Sequence, residues 1–419
     1  SAPPRQRRGR RVRAIAAPVL AAAVMNRPII LLTLLAALVR VVFVGLTSSD
    51  SLRYPDAVEY LDIARHIVEG RGFVTADGKL YARGPAYPLF LSAHLVVFGD
   101  HELPIRVTQA LLGALVVPLT WLLARRVASP TGAFLASLYV ALDPFLIYFT
   151  GLLLVETLYV LLLGLQVLLL LRLAEGHRFR DAVALGAVAA VSALLHAGHL
   201  ASLGLMAVVL PFLITGARRW ALLAVYVVSA TATLFPWIMR NGELSGRFLP
   251  VTAKLGRDLF ESIGPGATGG PATEYVRWPT GLPGGELARD EALKKECWRA
   301  VREEPGRVLG LVPSKFARFW NPVPNYEKFR QPLYLVAATG ASLPLFVLGR
   351  LGAGLLLRRN LRTGIVFLFF PIAICVLHLV FVGSVRYRLP LHPVLAAIAA
   401  VGVDRVTRRA PESRNRLDG

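Results

Sequence analysis

The chain has 419 residues, of which 55% are hydrophobic and only 17% charged, well short of the roughly 25% charged residues of a soluble domain. Its net charge of +21 does not indicate a nucleic-acid partner. No binding module is recognisable, and the arginines lie in short polar breaks between apolar runs, as in the cytoplasmic loops of membrane proteins. Two cysteines, Cys297 and Cys375, exclude a disulfide framework.

The apolar runs are about 20 residues long, the length a helix needs to cross a hydrocarbon core of about 30 Å. The fold class read from them is an all-α polytopic membrane protein with about ten transmembrane helices. In chain order, a basic tail at 1–27 precedes an uncleaved first span at 28–47. Further spans are expected at 105–126, 131–149, 152–173, 180–196, 198–215 and 219–239, closing a block at 28–239. A last group covers 333–404, with spans at 333–356, 363–383 and 388–404, and a second basic tail follows at 405–419. The pair at 180–215 is the one place where a single helix would compete with two.

Two polar segments are too long for connectors, the outer loops at 48–104 and 240–332, and long loops tend to carry function. In the first, Val58, Leu61, Ala64 and Val68 recur at helical spacing and Pro85 to Phe98 is a second apolar piece too short to span. Both read as amphipathic helices at the interface. The second loop mixes Gly/Pro stretches with one charged surface helix, Glu286 to Glu304.

Charge tests the topology. With residues near span ends counted to the break they flank, the side holding both tails carries 23 Lys+Arg against 5 Asp+Glu, and the other 23 against 19. Cationic loops resist translocation, so both termini are expected in the cytoplasm of a cell-membrane protein, with both long loops and any chemistry on the extracytoplasmic face.

The most informative run, Tyr54-Pro-Asp56-Ala-Val-Glu59-Tyr60, follows the first span. Asp56 is either an N-cap on a solvated acidic face or a general base at the membrane surface. Gly70-Arg-Gly-Phe73 and Arg83-Gly-Pro-Ala-Tyr87-Pro follow in the same loop. Glu156 opens the fourth span, where an ionisable group is costly and functional by default. Asp143, deeper and before Pro144, reads as a helix–helix hydrogen bond rather than a proton relay. Pro236-Trp-Ile-Met-Arg240-Asn241 and Gly383-Ser-Val-Arg386-Tyr387-Arg388-Leu-Pro place three arginines on the outer side. There, guanidiniums either anchor headgroups or grip a phosphate. His196 and His199 flank a turn but have no third ligand nearby, so no metal is expected, although a divalent ion is compatible with the residues.

In this order the motifs resemble the GT-C glycosyltransferases, in particular the protein O-mannosyltransferase and lipid A aminoarabinose transferase-like group of glycosyltransferase family 39. The resemblance spans roughly residues 28–400. The family's Asp-Glu-x-x-Tyr is met by Asp56 and Tyr60, with Ala57 in place of the Glu, and Arg83-Gly84-Pro85 replaces the commoner Arg-Pro-Pro. The resemblance implies a sugar transfer from a polyprenyl-phosphate donor to a hydroxyl of a protein, glycolipid or polysaccharide of the cell envelope, with inversion and without a cofactor. Asp56 would be the base, and Glu156 would share its cavity. Arg240, Arg386 and Arg388 would bind the donor phosphate, while Glu59, Tyr60, Arg83, Tyr87, Asn241 and Tyr387 would contact substrate. The competing expectations are a transporter or flippase of a lipid-linked or anionic solute, which calls for inverted repeats and midplane charges, and a non-catalytic glycolipid-binding relative.

Overall fold

The computed structural model describes residues 26–47, 54–271, 273–325 and 331–407, so most of the two basic tails lies outside the described residues. Among those residues the secondary structure is helical, without strands.

Helix α1 (Arg27–Leu46) starts on a Pro in its first turn, where the missing N–H costs nothing. The first outer loop holds α2 (Pro55–Val68) and α3 (Ala86–Phe98), as its periodicity predicts. They pack face to face through Ala57, Tyr60 and Leu61 on α2 and Tyr87 and Leu91 on α3. The second span is divided at Leu115 into α4 (Glu102–Ala114) and α5 (Val116–Ala124).

The third span is α6 (Pro130–Leu142) and α7 (Pro144–Thr150), bent by 44° at Asp143. The residue before a proline is pushed out of the helical region. Asp143 is accordingly extended and caps α7, accepting from Phe145 N at 2.9 Å. Its other oxygen accepts from His392 Nδ1 at 2.5 Å, the helix–helix bond that its depth suggests.

Helix α8 (Glu156–Gly176) is followed by α9 (Phe179–Leu195) and α10 (His199–Leu213), so region 180–215 forms two helices. Then come α11 (Arg219–Ser245), α15 (Pro332–Arg359), α16 (Leu361–Val380), the 3₁₀ segment Val385–Leu391 and α17 (His392–Thr407). Between α11 and α15 the second outer loop folds as α12 (Leu255–Ile263), α13 (Glu286–Glu303) and α14 (Pro305–Phe319). These close over a small apolar core of Phe260, Ile263, Val276, Leu293 and Cys297. Only α13 was expected there; α12 has nine residues and α14 carries Pro313 inside, too short and too interrupted to stand out in sequence.

Among the described residues seven helices are long and apolar enough to cross a membrane, or eight if α6 and α7 make one span. The count of about ten is not confirmed: α9 and α10, 17 and 15 residues long, are shorter than these helices.

Helices approach closely where a side chain is missing, as expected where lipid removes the hydrophobic drive between them. A Cβ on Gly352 of α15 would lie 2.0 Å from Ile398 O, and one on Gly402 of α17 would lie 2.4 Å from Leu348 O. This reciprocal contact holds α17, and with it the 3₁₀ segment before it, against the bundle.

Candidate active site

Four pieces of chain meet at one end of the bundle: the first turn of α2, the segment around Arg83, the start of α8 and the 3₁₀ segment. Pro55 opens α2 and leaves Asp56 and Glu59 three residues apart on one helical face. Arg83 bonds both, donating from Nη2 to Asp56 Oδ1 at 2.6 Å and from Nε to Glu59 Oε2. Its guanidinium lies 4.7 Å over the Tyr60 ring, which in turn meets Tyr87 edge-on at 5.0 Å.

Arg386 closes the set from the far end of the sequence. Its Nη1 donates to Asp56 Oδ2 at 2.9 Å and its Nε to Glu156 Oε1. Exposure falls along this chain of pairs, from 33% for the Asp56 side chain through 25% for Arg386 to 6% for Glu156. Asp56 is thus open to a ligand, whereas Glu156 sits behind Arg386 and acts on it.

Burial alone would raise the Asp56 carboxyl, but Arg83 and Arg386 beside it, with Lys254 further off, outweigh burial and hold it well below the usual carboxylate range. The missing second acid of the motif also has a structural account: Ala57 is 3% exposed in the core, and Glu59 supplies the second carboxylate to Arg83. Gly84, the departure from Arg-Pro-Pro, lies so close to α9 that a Cβ would be 2.1 Å from Leu194 O.

The Arg386 segment is anchored from the second loop. Gly383 N donates to Gly269 O at 2.9 Å, and Lys315 Nζ donates to Ser262 Oγ at 2.6 Å and to Val380 O at 2.9 Å. Tyr387, half-buried, stacks on His378 at 4.2 Å and meets His196 edge-on at 6.3 Å.

Residues of α12 and its cap join the site and were not foreseen. Burial, then Arg83, pushes the Lys254 amine below its ordinary value, and burial pushes the carboxyls of Asp258 and Glu261 up. In sequence they are three charges among many in a polar loop, and nothing singles them out.

Other predicted site residues lie elsewhere. Arg240 donates to Leu80 O at 2.7 Å and Phe73 O at 3.0 Å, within 4.6–5.7 Å of the rings of Phe73, Tyr81 and Trp237. It therefore ties the first loop to α11 and does not join the Asp56 set. Asn241 is buried and spans to Leu249 O and Val251 O. Arg388 is fully buried, donating to Phe319 O at 2.7 Å and Asn321 O at 3.1 Å above the Phe346 ring. In a 3₁₀ turn its neighbour Arg386 points to a different side. Tyr87 is 0% exposed and gives its hydroxyl to Gln109, so it supports Tyr60 and cannot touch a substrate.

His199 bonds Tyr159 Oη at 2.8 Å and Gln166 Oε1 at 2.9 Å, while His196 stacks flat on Tyr159 at 5.4 Å. The two imidazoles do not form a ligand pair, and among the described residues no three His, Cys, Asp or Glu side chains converge as a metal site would require.

The fold places this geometry among known proteins. The apo crystal structure of the Archaeoglobus fulgidus oligosaccharyltransferase superposes with a TM-score of 0.56 at 15% identity, covering 91% of this chain and 51% of that one. The chain has the GT-C fold. Archaeal oligosaccharyltransferase AglB from the same organism, in complex with an inhibitory peptide and a dolichol-phosphate, gives a TM-score of 0.51 at 16% identity over 93% and 52% of the two chains. This GT-C chain thus spans about half the length of those enzymes. ArnT from Cupriavidus metallidurans bound to undecaprenyl phosphate aligns at 17% identity over 90% of this chain and 78% of that one, with a TM-score of 0.44. Residues 82–239, less than half of the chain, match the family model of dolichyl-phosphate-mannose-protein mannosyltransferases. No curated protein sequence matches.

Proposed function

We propose that the chain is a membrane glycosyltransferase that moves a sugar from a polyprenyl-phosphate donor to an acceptor hydroxyl on the extracytoplasmic face, with inversion and with Asp56 as base. One observation carries this reading: a partly open carboxylate at the mouth of the site is gripped by a guanidinium, Arg386, that a second, buried carboxylate holds in place. The family model over residues 82–239 and the dolichol-phosphate of the archaeal relative favour a lipid-phosphate donor.

A carboxylate held this acidic is a weak base at rest. A donor phosphate competes for the same guanidiniums, since Arg binds phosphate bidentately. Drawing Arg386 and Arg83 onto phosphate oxygens frees Asp56, raises its proton affinity and readies it only when donor is bound. The acceptor O–H proton then passes to Asp56, and the acceptor oxygen bonds the anomeric carbon. The carbon–oxygen bond to phosphate breaks on the opposite face, its electron pair leaving on the phosphate oxygen that Arg386 stabilises. Donor-phosphate binding is assigned here to Arg386 and Arg83, with Lys254 nearby, in place of Arg240 and Arg388.

The test incubates purified protein with a panel of labelled polyprenyl-phosphate sugars and a membrane extract. Asp56→Asn is expected to abolish transfer while expression and detergent extraction stay unchanged, and full retained transfer in that variant removes Asp56 as the base.

A further inference from the structure

Arg40 lies in the middle of α1, fully buried, and the sugar-transfer site makes no direct use of it. Part of its role is local: Nη1 donates to Ala141 O and Nη2 to Val140 O, both at 2.9 Å. These are carbonyls at the end of α6 whose helical donors are lost at the Asp143–Pro144 break. Capping them leaves Arg40 Nε buried without a protein partner. Glu156, with Oε1 on Arg386, leaves Oε2 in the same condition.

Both residues line one cavity, together with Gly113, Thr150, Thr157 and apolar side chains. Gly113 on α4 keeps it open. A Cβ at that position would come within 3.4 Å of Arg40 Nε and 3.1 Å of Thr150 Oγ1.

We infer that this cavity binds a single water molecule that bridges Arg40 Nε to Glu156 Oε2, making Arg40 a positioning residue for the Glu156–Arg386 pair. A water there accepts from Arg40 Nε and donates to Glu156 and to Thr150 Oγ1, whose own proton goes to Leu146 O. That makes about three hydrogen bonds, the usual complement of a buried water. The bridge stands on the geometry alone, whereas its consequence for catalysis rests on the function proposed above.

The experiment uses the full chain in lipid nanodiscs. A density map at water-resolving resolution is expected to show the water in the wild-type protein. An infrared O–H band shifted by oxygen-18 water should be present there and absent from Gly113→Ala. That variant fills the cavity from another helix and leaves the α6 cap intact. Gly113→Ser adds a hydroxyl next to Arg40 Nε and Thr150 Oγ1 and should restore transfer. If sugar transfer is confirmed, Gly113→Ala should lower kcat about tenfold, the value of one charge-assisted hydrogen bond, with donor KM unchanged and Gly113→Ser near wild type. A dry cavity in the map, or an isotope-sensitive band that survives in Gly113→Ala, overturns the bridge. Since map and band need no turnover, a chain that transfers no sugar leaves the bridge standing, and a dry cavity leaves sugar transfer standing.

Discussion

Arg386→Ala removes both ion pairs of Arg386, but the two carboxylates are not equally hurt. Asp56 keeps Arg83 and is 33% exposed, so water replaces much of what it loses. Glu156 is 6% exposed and its second oxygen already lacks a protein partner, so the substitution strands a carboxylate in the bundle. Removing one partner of a buried pair costs about 3–5 kcal/mol, mostly through the charge left behind. The melting midpoint in detergent should therefore fall by something on the order of 5–10 °C. Adding Glu156→Gln to the same protein takes the stranded charge away and should recover more than half of the loss, while transfer stays abolished in both. Thermal unfolding of the two single variants and the double variant closes the cycle. A double variant that melts as low as Arg386→Ala refutes the claim that Glu156 depends on Arg386 for its charge.

Arg240→Ala should loosen the first loop, read as faster hydrogen exchange over residues 70–81, while the Kd for a polyprenyl-phosphate donor changes less than in Arg386→Ala; the opposite order would return Arg240 to the phosphate site. Gly84→Ala forces a methyl against Leu194 O and should cost about 1–3 kcal/mol as overpacking, and an unchanged melting midpoint would show that the approach of this segment to α9 is not needed. Burial lowers the Lys315 amine from its ordinary 10.5 to about 8. Below that pH both folded and unfolded chains hold the proton. Between about 8 and 10.5 only the unfolded chain does, so wild-type stability should rise with pH across that window relative to Lys315→Met. A pH-independent difference in melting midpoint between the two proteins would contradict this placement of the amine.

The chain order of helices is readable because lipid demands long apolar runs, and the break at Asp143–Pro144 is visible as proline chemistry. The break at Leu115 is not, since nothing in Ala114-Leu-Val differs from a continuous helix. Asp56, Glu156 and Arg386 stand out because each is an ionisable group at the edge of an apolar run, where its placement is costly without a partner. That they are partners is a property of the fold. Arg386 and Asp56 are 330 positions apart, a separation at which periodicity is silent.

Arg240, Arg386 and Arg388 make the limit concrete. As residue types they are equivalent, and each lies near a helix end. What separates them is the acceptor each one meets. Arg240 is held by Leu80 O, Phe73 O and the Oδ1 of its neighbour Asn241, and Arg388 by Phe319 O and Asn321 O. The four carbonyls come from the two long loops, so these two guanidiniums fasten chain to chain. Arg386 alone of the three is held by carboxylates, one of them open to solvent. A guanidinium bonded to side chains at a site mouth can exchange them for phosphate without unfolding anything, and for that reason Arg386 is the one proposed to bind the donor phosphate.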